Sequence, residues 1–198
     1  MFATVCFSNL AFSQTNNYPD IKISNFGQVN ENYYRGGQPY AADCVQLKKL
    51  GIKTVIDLQK DGNFREPAWV QNAGMQYIKI PLTGSHPATA EQTAYFLKIV
   101  SDPANLPVYV HCAAGRHRTG EMSALYRITH DSWDADRAYE EMKQYGYYTF
   151  PNHGSLRKYV YSYYRDYQTT ARKEKDNAVP VPAEPADGQA VGAPAGAN

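Results

Sequence analysis

The chain has 198 residues, 43% hydrophobic and 13% aromatic, with 20 Lys and Arg against 19 Asp and Glu for a net charge of +1. That length and composition suit one ordinary α/β or similar domain with modest tails and exclude global disorder. The balanced charge argues against a nucleic-acid partner held by a broad basic surface. The three cysteines, Cys6, Cys44 and Cys112, are too few for a disulfide scaffold, and no apolar run reaches transmembrane length.

In chain order, residues 1–13 are uncharged and mostly apolar or small. Ala11-Phe12-Ser13 resembles the small-x-small pattern before a signal-peptidase cut, although the basic n-region of a leader is missing. The expectation is a signal-peptide remnant within residues 1–20 and export, periplasmic or secreted. The alternative is a packed N-terminal arm on a cytoplasmic protein. Residues 40–50 read as a short helix stopped by Gly51. Residues 54–58 read as a buried strand. Residues 67–73 suit a helix with Pro67 in its first turn, and residues 76–80 a second strand. Thr89 to Gln92 forms a capping-box pattern that opens a helix through Val100. Residues 108–110 are a third buried strand. Helices are expected at 119–129, at 134–145 with Gly146 as its stop, and at 155–172, the last with Leu156, Val160, Tyr163 and Tyr167 on one face. The charged run from Arg172 to Asp176 is read as the boundary of a domain over residues 21–173. In residues 178–198, 14 of 21 residues are Ala, Pro or Gly, so the 174–198 segment reads as a disordered tail. Alternating strands and helices predict a single α/β domain with a central, mainly parallel sheet flanked by helices.

The chemistry concentrates in Val108-Tyr109-Val110-His111-Cys112-Ala113-Ala114-Gly115-Arg116-His117-Arg118-Thr119-Gly120. A buried strand runs into Cys112, and an Arg opens a helix six positions later. Loop N–H groups and a helix N-terminus together cradle an anion. The same field lowers a thiol's pKa, which makes Cys112 a thiolate and a candidate nucleophile. Arg118 can hold two phosphate oxygens in its planar fork. Ala113, Ala114, Gly115, Arg116, His117 and Arg118 are the expected phosphate-binding positions. Thr119 is expected to bond the sulfur, and His111 to brace the loop.

His-Cys-x5-Arg-Thr-Gly resembles the active-site motif of the cysteine-dependent protein tyrosine and dual-specificity phosphatases. Asn25 to Val29, Tyr34-Arg35-Gly36-Gly37-Gln38-Pro39 and the Leu50 to Leu58 passage resemble the atypical dual-specificity phosphatases of plants, fungi and bacteria. The Gly120 to Ile128 and Trp133 to Met142 segments resemble that group's helices after the loop. The resemblance covers about residues 25–150 and implies a dual-specificity-phosphatase-like fold. It also implies two-step hydrolysis with no metal or other cofactor: Cys112 attacks phosphorus, a nearby acid protonates the leaving oxygen, and water then cleaves the phosphocysteine. The Gly115-Arg116-His117-Arg118 stretch resembles the Gly-Lys-His-Arg loop of relatives that act on inositol pyrophosphates. The implied partners are phosphorylated proteins or inositol phosphates, not nucleic acid.

Many members of that group carry an Asp acid on the loop before the Cys strand. Here the stretch is Pro81-Leu82-Thr83-Gly84-Ser85-His86-Pro87, without a carboxylate. His86 and Asp61 are the candidate acids, with Glu66 and Glu91 weaker ones. That gap keeps a non-catalytic phosphate-binding module open as the second reading. A sulfurtransferase or arsenate reductase is a third, and would need a resolving cysteine, for which Cys44 is the candidate in the domain. A reversible Cys44–Cys112 disulfide is a further expectation if the protein is exported.

Overall fold

The structure is a computed structural model that describes residues 18–149 and 153–177, with side chains described through 173. Residues 1–17, where the leader was expected, and 178–198, most of the expected tail, lie outside the described residues.

Among the described residues, five strands form one sheet: β1 (Gly27–Asn30), β2 (Tyr33–Gly36), β3 (Thr54–Gln59), β4 (Gln76–Leu82) and β5 (Val108–His111). Their order is β1-β2-β5-β3-β4, with β1 antiparallel at one edge and every other pair parallel. Six α-helices among the same residues surround it: α1 (Ala41–Lys49), α2 (Glu66–Asn72), α3 (Ala90–Ser101), α4 (Arg118–His130), α5 (Ala135–Gln144) and α6 (Gly154–Asn177). The expected α/β architecture is therefore the one present.

Side-chain alternation along the strands builds two cores. Tyr33, Ile56, Val108 and Val110 face one layer with Phe96 of α3, Met122 and Leu125 of α4 and Leu156 and Val160 of α6. Tyr34, Val55 and Tyr109 face the other with Cys44 and Leu47 of α1 and Val70 of α2. Burial on both faces is why β3 and β5 read as continuous apolar runs.

The local expectations hold with small shifts. The capping box closes as predicted: Gln92 N–H donates to Thr89 Oγ1 at 3.1 Å and Thr89 N–H to Gln92 Oε1 at 2.9 Å. β4 continues through Leu82, so the carboxylate-free stretch begins with two strand residues. α6 runs to Asn177, so the charged run is helix rather than its end. Lys, Arg and Glu are good helix formers, so the run can continue the helix. No helix among the described residues is long and apolar enough to cross a membrane.

The helices that follow β3 and β5 leave on opposite sides of the sheet, α2 toward the Val70 core and α4 toward the Met122 core. These strands are neighbours, so their carboxyl ends border a crevice of the kind in which open α/β sheets bind ligands. Cys112 follows β5 into that crevice.

Candidate active site

Residues 112–117 form the loop between β5 and α4. Cys112 is only 3% exposed. Burial alone would raise its thiol. The Thr119 hydroxyl, the N–H of Thr119, the Arg118 guanidinium and the N–H of Gly115 outweigh burial and hold the sulfur below the ordinary cysteine value. Thr119 Oγ1 is buried and makes no other hydrogen bond, which leaves it for the sulfur. Arg118 occupies the first turn of α4, with Nη1 loosely placed at 3.4 Å from the Leu82 carbonyl.

Three successive loop carbonyls are held from outside by the lead-in segment. Gln38 N–H donates to Ala113 O at 3.1 Å, Asn25 Nδ2 to Ala114 O at 2.8 Å and Arg35 Nη2 to Gly115 O at 2.9 Å. With these carbonyls turned outward, backbone N–H groups are free to turn inward, as those of Gly115 and Thr119 do toward the sulfur. Gly115 has φ +67°, and a Cβ there would lie 2.5 Å from the Gly36 carbonyl carbon. Only glycine fits both the angle and the space. Asn25, Arg35 and Gln38 were not singled out as site residues by sequence reasoning, because a backbone acceptor leaves no mark in the sequence.

His111, the last residue of β5, is fully buried. Its ring stacks on Tyr109 at 5.6 Å, and its Nε2 lies 2.6 Å from Glu66 Oε1, with both side chains fully buried. The contact is close but poorly aligned for a linear hydrogen bond. Glu66 is thus a buried neighbour of His111, although it also sits in the first turn of α2 as a helix-terminal charge would. Asp57, Glu66 and His111 place one ligand atom each within 4.8 Å of one another. Asp57 accepts from Gln59 N–H and Tyr77 OH, and Glu66 Oε2 from Gln38 Nε2, while Glu66 Oε1 and both ring nitrogens of His111 make no hydrogen bond.

Around the rim, Ala113 is exposed and Ala114 half-buried, which keeps the floor open. Arg116 is exposed, its stem lies over Gly146, and it makes no ion pair among the described residues. His117 is half-buried and stacks on His153 at 3.7 Å, with Tyr148 edge-on at 4.3 Å and Tyr147 at 5.3 Å. Burial first, then His153, Arg116 and Arg118, push His117 down to about 4, against a hydrogen bond to the Tyr148 backbone.

His86 is exposed, with Nδ1 at 3.0 Å from the Ser85 hydroxyl. Asp61 is exposed in the turn after β3. Glu91 is an exposed first-turn residue of α3. Cys44 belongs to the core on the opposite face of the sheet, and burial first, then Glu66 and Asp43, push its thiol up to about 12. Both Cys44 and Cys112 are free thiols, in cores on opposite faces of the sheet.

The family model described as "DSP-PTPase phosphatase fused to NAD+ Kinase" matches residues 5–156. The chain belongs to this dual-specificity phosphatase family. The dual specificity protein phosphatase TpbA of Pseudomonas aeruginosa strain UCBPP-PA14 is 30% identical over 123 residues, 62% of this chain and 55% of that protein. The putative tyrosine-protein phosphatase OCA1 of Mycosarcoma maydis is 32% identical over 126 residues, 61% of this chain and 79% of that protein. The inositol diphosphatase SIW14 of Saccharomyces cerevisiae is 27% identical over 172 residues, 81% of this chain and 58% of that protein. The chain thus spans about half the length of the TpbA relative. The crystal structure of P. aeruginosa TpbA superposes with a TM-score of 0.64 at 27% identity, covering 76% of this chain and 91% of that one. The core catalytic domain of SIW14 shares the fold, with a TM-score of 0.63 at 23% identity, covering 81% and 98%.

Proposed function

We propose that this member of the phosphatase family hydrolyses phosphate monoesters through a phosphocysteine formed on Cys112, without a metal ion. One observation carries the reading: a buried thiol held below its ordinary pKa sits in a loop whose carbonyls are clamped outward, beside Arg118 at a helix N-terminus. A phosphoryl group seated there accepts from inward N–H groups and from the Arg118 fork. The Cys112 sulfur forms a bond to phosphorus as the ester P–O bond breaks. Arg118 and the N–H groups stabilise the equatorial oxygens in both steps. Water then attacks phosphorus, the S–P bond breaks and the thiolate returns, with Thr119 hydrogen-bonding the departing sulfur.

The rim supports one substrate class. Exposed Arg116, without an ion pair among the described residues, adds a cation beside the cradle, which favours a substrate bearing more than one phosphate, such as an inositol polyphosphate or pyrophosphate. A phosphorylated Tyr, Ser or Thr protein is the other substrate consistent with relatives named as tyrosine and dual-specificity phosphatases.

The test is para-nitrophenyl phosphate hydrolysis by the protein and by Cys112→Ser, with EDTA and vanadate. Turnover that survives EDTA, is blocked by vanadate and disappears in the variant supports the reading. Phosphate binding without turnover in the folded, reduced protein would replace it with the binding-module reading. Arg116→Ala should then weaken inositol polyphosphate turnover more than phosphopeptide turnover.

A further inference from the structure

The stretch between β4 and α3 has no carboxylate, so the proton for a poor leaving group must come from elsewhere. His153, from the turn just before α6, closes on this stretch and on the Cys112 loop together. Its Nδ1 lies 2.6 Å from the Gly84 carbonyl, and its ring stacks on His117 at 3.7 Å, one residue before Arg118. The next turn repeats the tie, with the Ser155 hydroxyl donating to Ser85 O at 2.8 Å.

Resting on the phosphatase reading above, we propose that His153 is the acid–base residue of this site, doing the work of the missing carboxylate. A carbonyl at Nδ1 fixes the tautomer: Nδ1 carries a hydrogen for Gly84 O, and Nε2 is the nitrogen that exchanges a proton. In the first step the Nε2 proton passes to the leaving oxygen as the P–O bond breaks and the S–P bond forms. In the second, Nε2 takes a proton from the attacking water as the S–P bond breaks. The groups against His153 are His117 from the loop and Tyr147 and Tyr148 from the turn after α5, and Arg116 and Arg118 act on His117 beside it. His117, pushed down to about 4, is neutral at pH 7. A phosphate dianion in the cradle offsets the two arginines. His86, by contrast, is turned to Ser85, and Asp61 has no such tie to the loop.

The experiment is a leaving-group series, from para-nitrophenyl to phenyl to alkyl phosphate, on the full chain and on His153→Asn, His86→Asn and Asp61→Asn. Asn at 153 can still donate to Gly84 O but cannot deliver a proton. The expected result, for His153→Asn alone, is a loss that deepens from para-nitrophenyl to phenyl to alkyl phosphate and reaches roughly 10²-fold or more on the poorest leaving group. His153→Ala with added imidazole should recover part of the poor-leaving-group activity. An equal loss across the series, or a leaving-group-dependent loss in His86→Asn or Asp61→Asn instead, overturns the assignment. Retained turnover in Cys112→Ser would instead sink the phosphocysteine reading, so the two failures are distinguishable.

Discussion

Arg35 reaches under the Cys112 loop from β2 and donates from Nη2 to the Gly115 carbonyl at 2.9 Å, while its Nε and Nη1 are buried with no hydrogen-bond partner. Its guanidinium lies over the Tyr145 ring at 3.7 Å and makes no ion pair among the described residues. A buried cation without a counter-charge is costly.

Replacing Arg35 therefore acts through the loop. Arg35→Met should leave Gly115 O without its donor, shift the cradle and lower kcat/KM by roughly 10²-fold, the scale of small misplacements at a reacting centre. Stabilisation of the folded protein by vanadate should shrink in parallel. Arg35→Lys should restore little, because an ammonium lacks the planar fork. Thermal shifts with and without vanadate, beside steady-state kinetics, check this. An Arg35→Met enzyme with normal kcat/KM would remove the loop from the account of Arg35.

Gly115→Ala tests the close approach of two backbones. The new Cβ would meet Gly36 at 2.5 Å in a residue with φ +67°. The expected outcome is loss of most activity and of at least about 1 kcal/mol of stability, the cost of a side chain in that conformation before any clash. Urea unfolding beside para-nitrophenyl phosphate assays reads both. Unchanged values would show that the loop can leave Gly36 freely.

Glu121 gives a pH signature. It is fully buried in α4, with Oε1 accepting from Ala88 N–H at 2.9 Å and Oε2 unpartnered. Burial pushes it from 4.5 up to about 8, against the Ala88 N–H. Between those two values the folded protein holds a proton that the unfolded chain has released. The contribution is therefore complete below 4.5 and is lost as pH rises toward 8. Glu121→Gln imitates the protonated acid, so its stability should match the parent near pH 4.5 and exceed it increasingly toward pH 8. Denaturant midpoints across that range measure the difference. A difference that does not change with pH would contradict a protonated Glu121.

The central strands, the helices and the Cys-x5-Arg loop were legible because each carries a local signature: buried apolar runs, a capping box, glycine stops and a motif of fixed spacing. β1 and β2 were not read as strands. Each is four residues long, and Tyr33 to Gly36 is buried on both faces, so no alternation marks it. The outer clamps escaped for a different reason. Asn25 and Arg35 meet their carbonyls 89 and 80 residues away, and nothing in either side chain names a backbone partner. His153 is a single imidazole in a turn, and only the fold brings it to Gly84 and His117. Cys44 could be judged as a partner for Cys112 only once the sheet was seen to lie between their cores.

The most direct test of the account is to trap the covalent intermediate. The full chain is mixed with para-nitrophenyl phosphate, quenched within a turnover and digested for mass spectrometry. The account predicts one phosphoryl group, on the peptide that contains Cys112 and attached through sulfur, and none in Cys112→Ser. Full turnover with an unmodified Cys112 at every quench time, or a phosphoryl group on another residue, would contradict it.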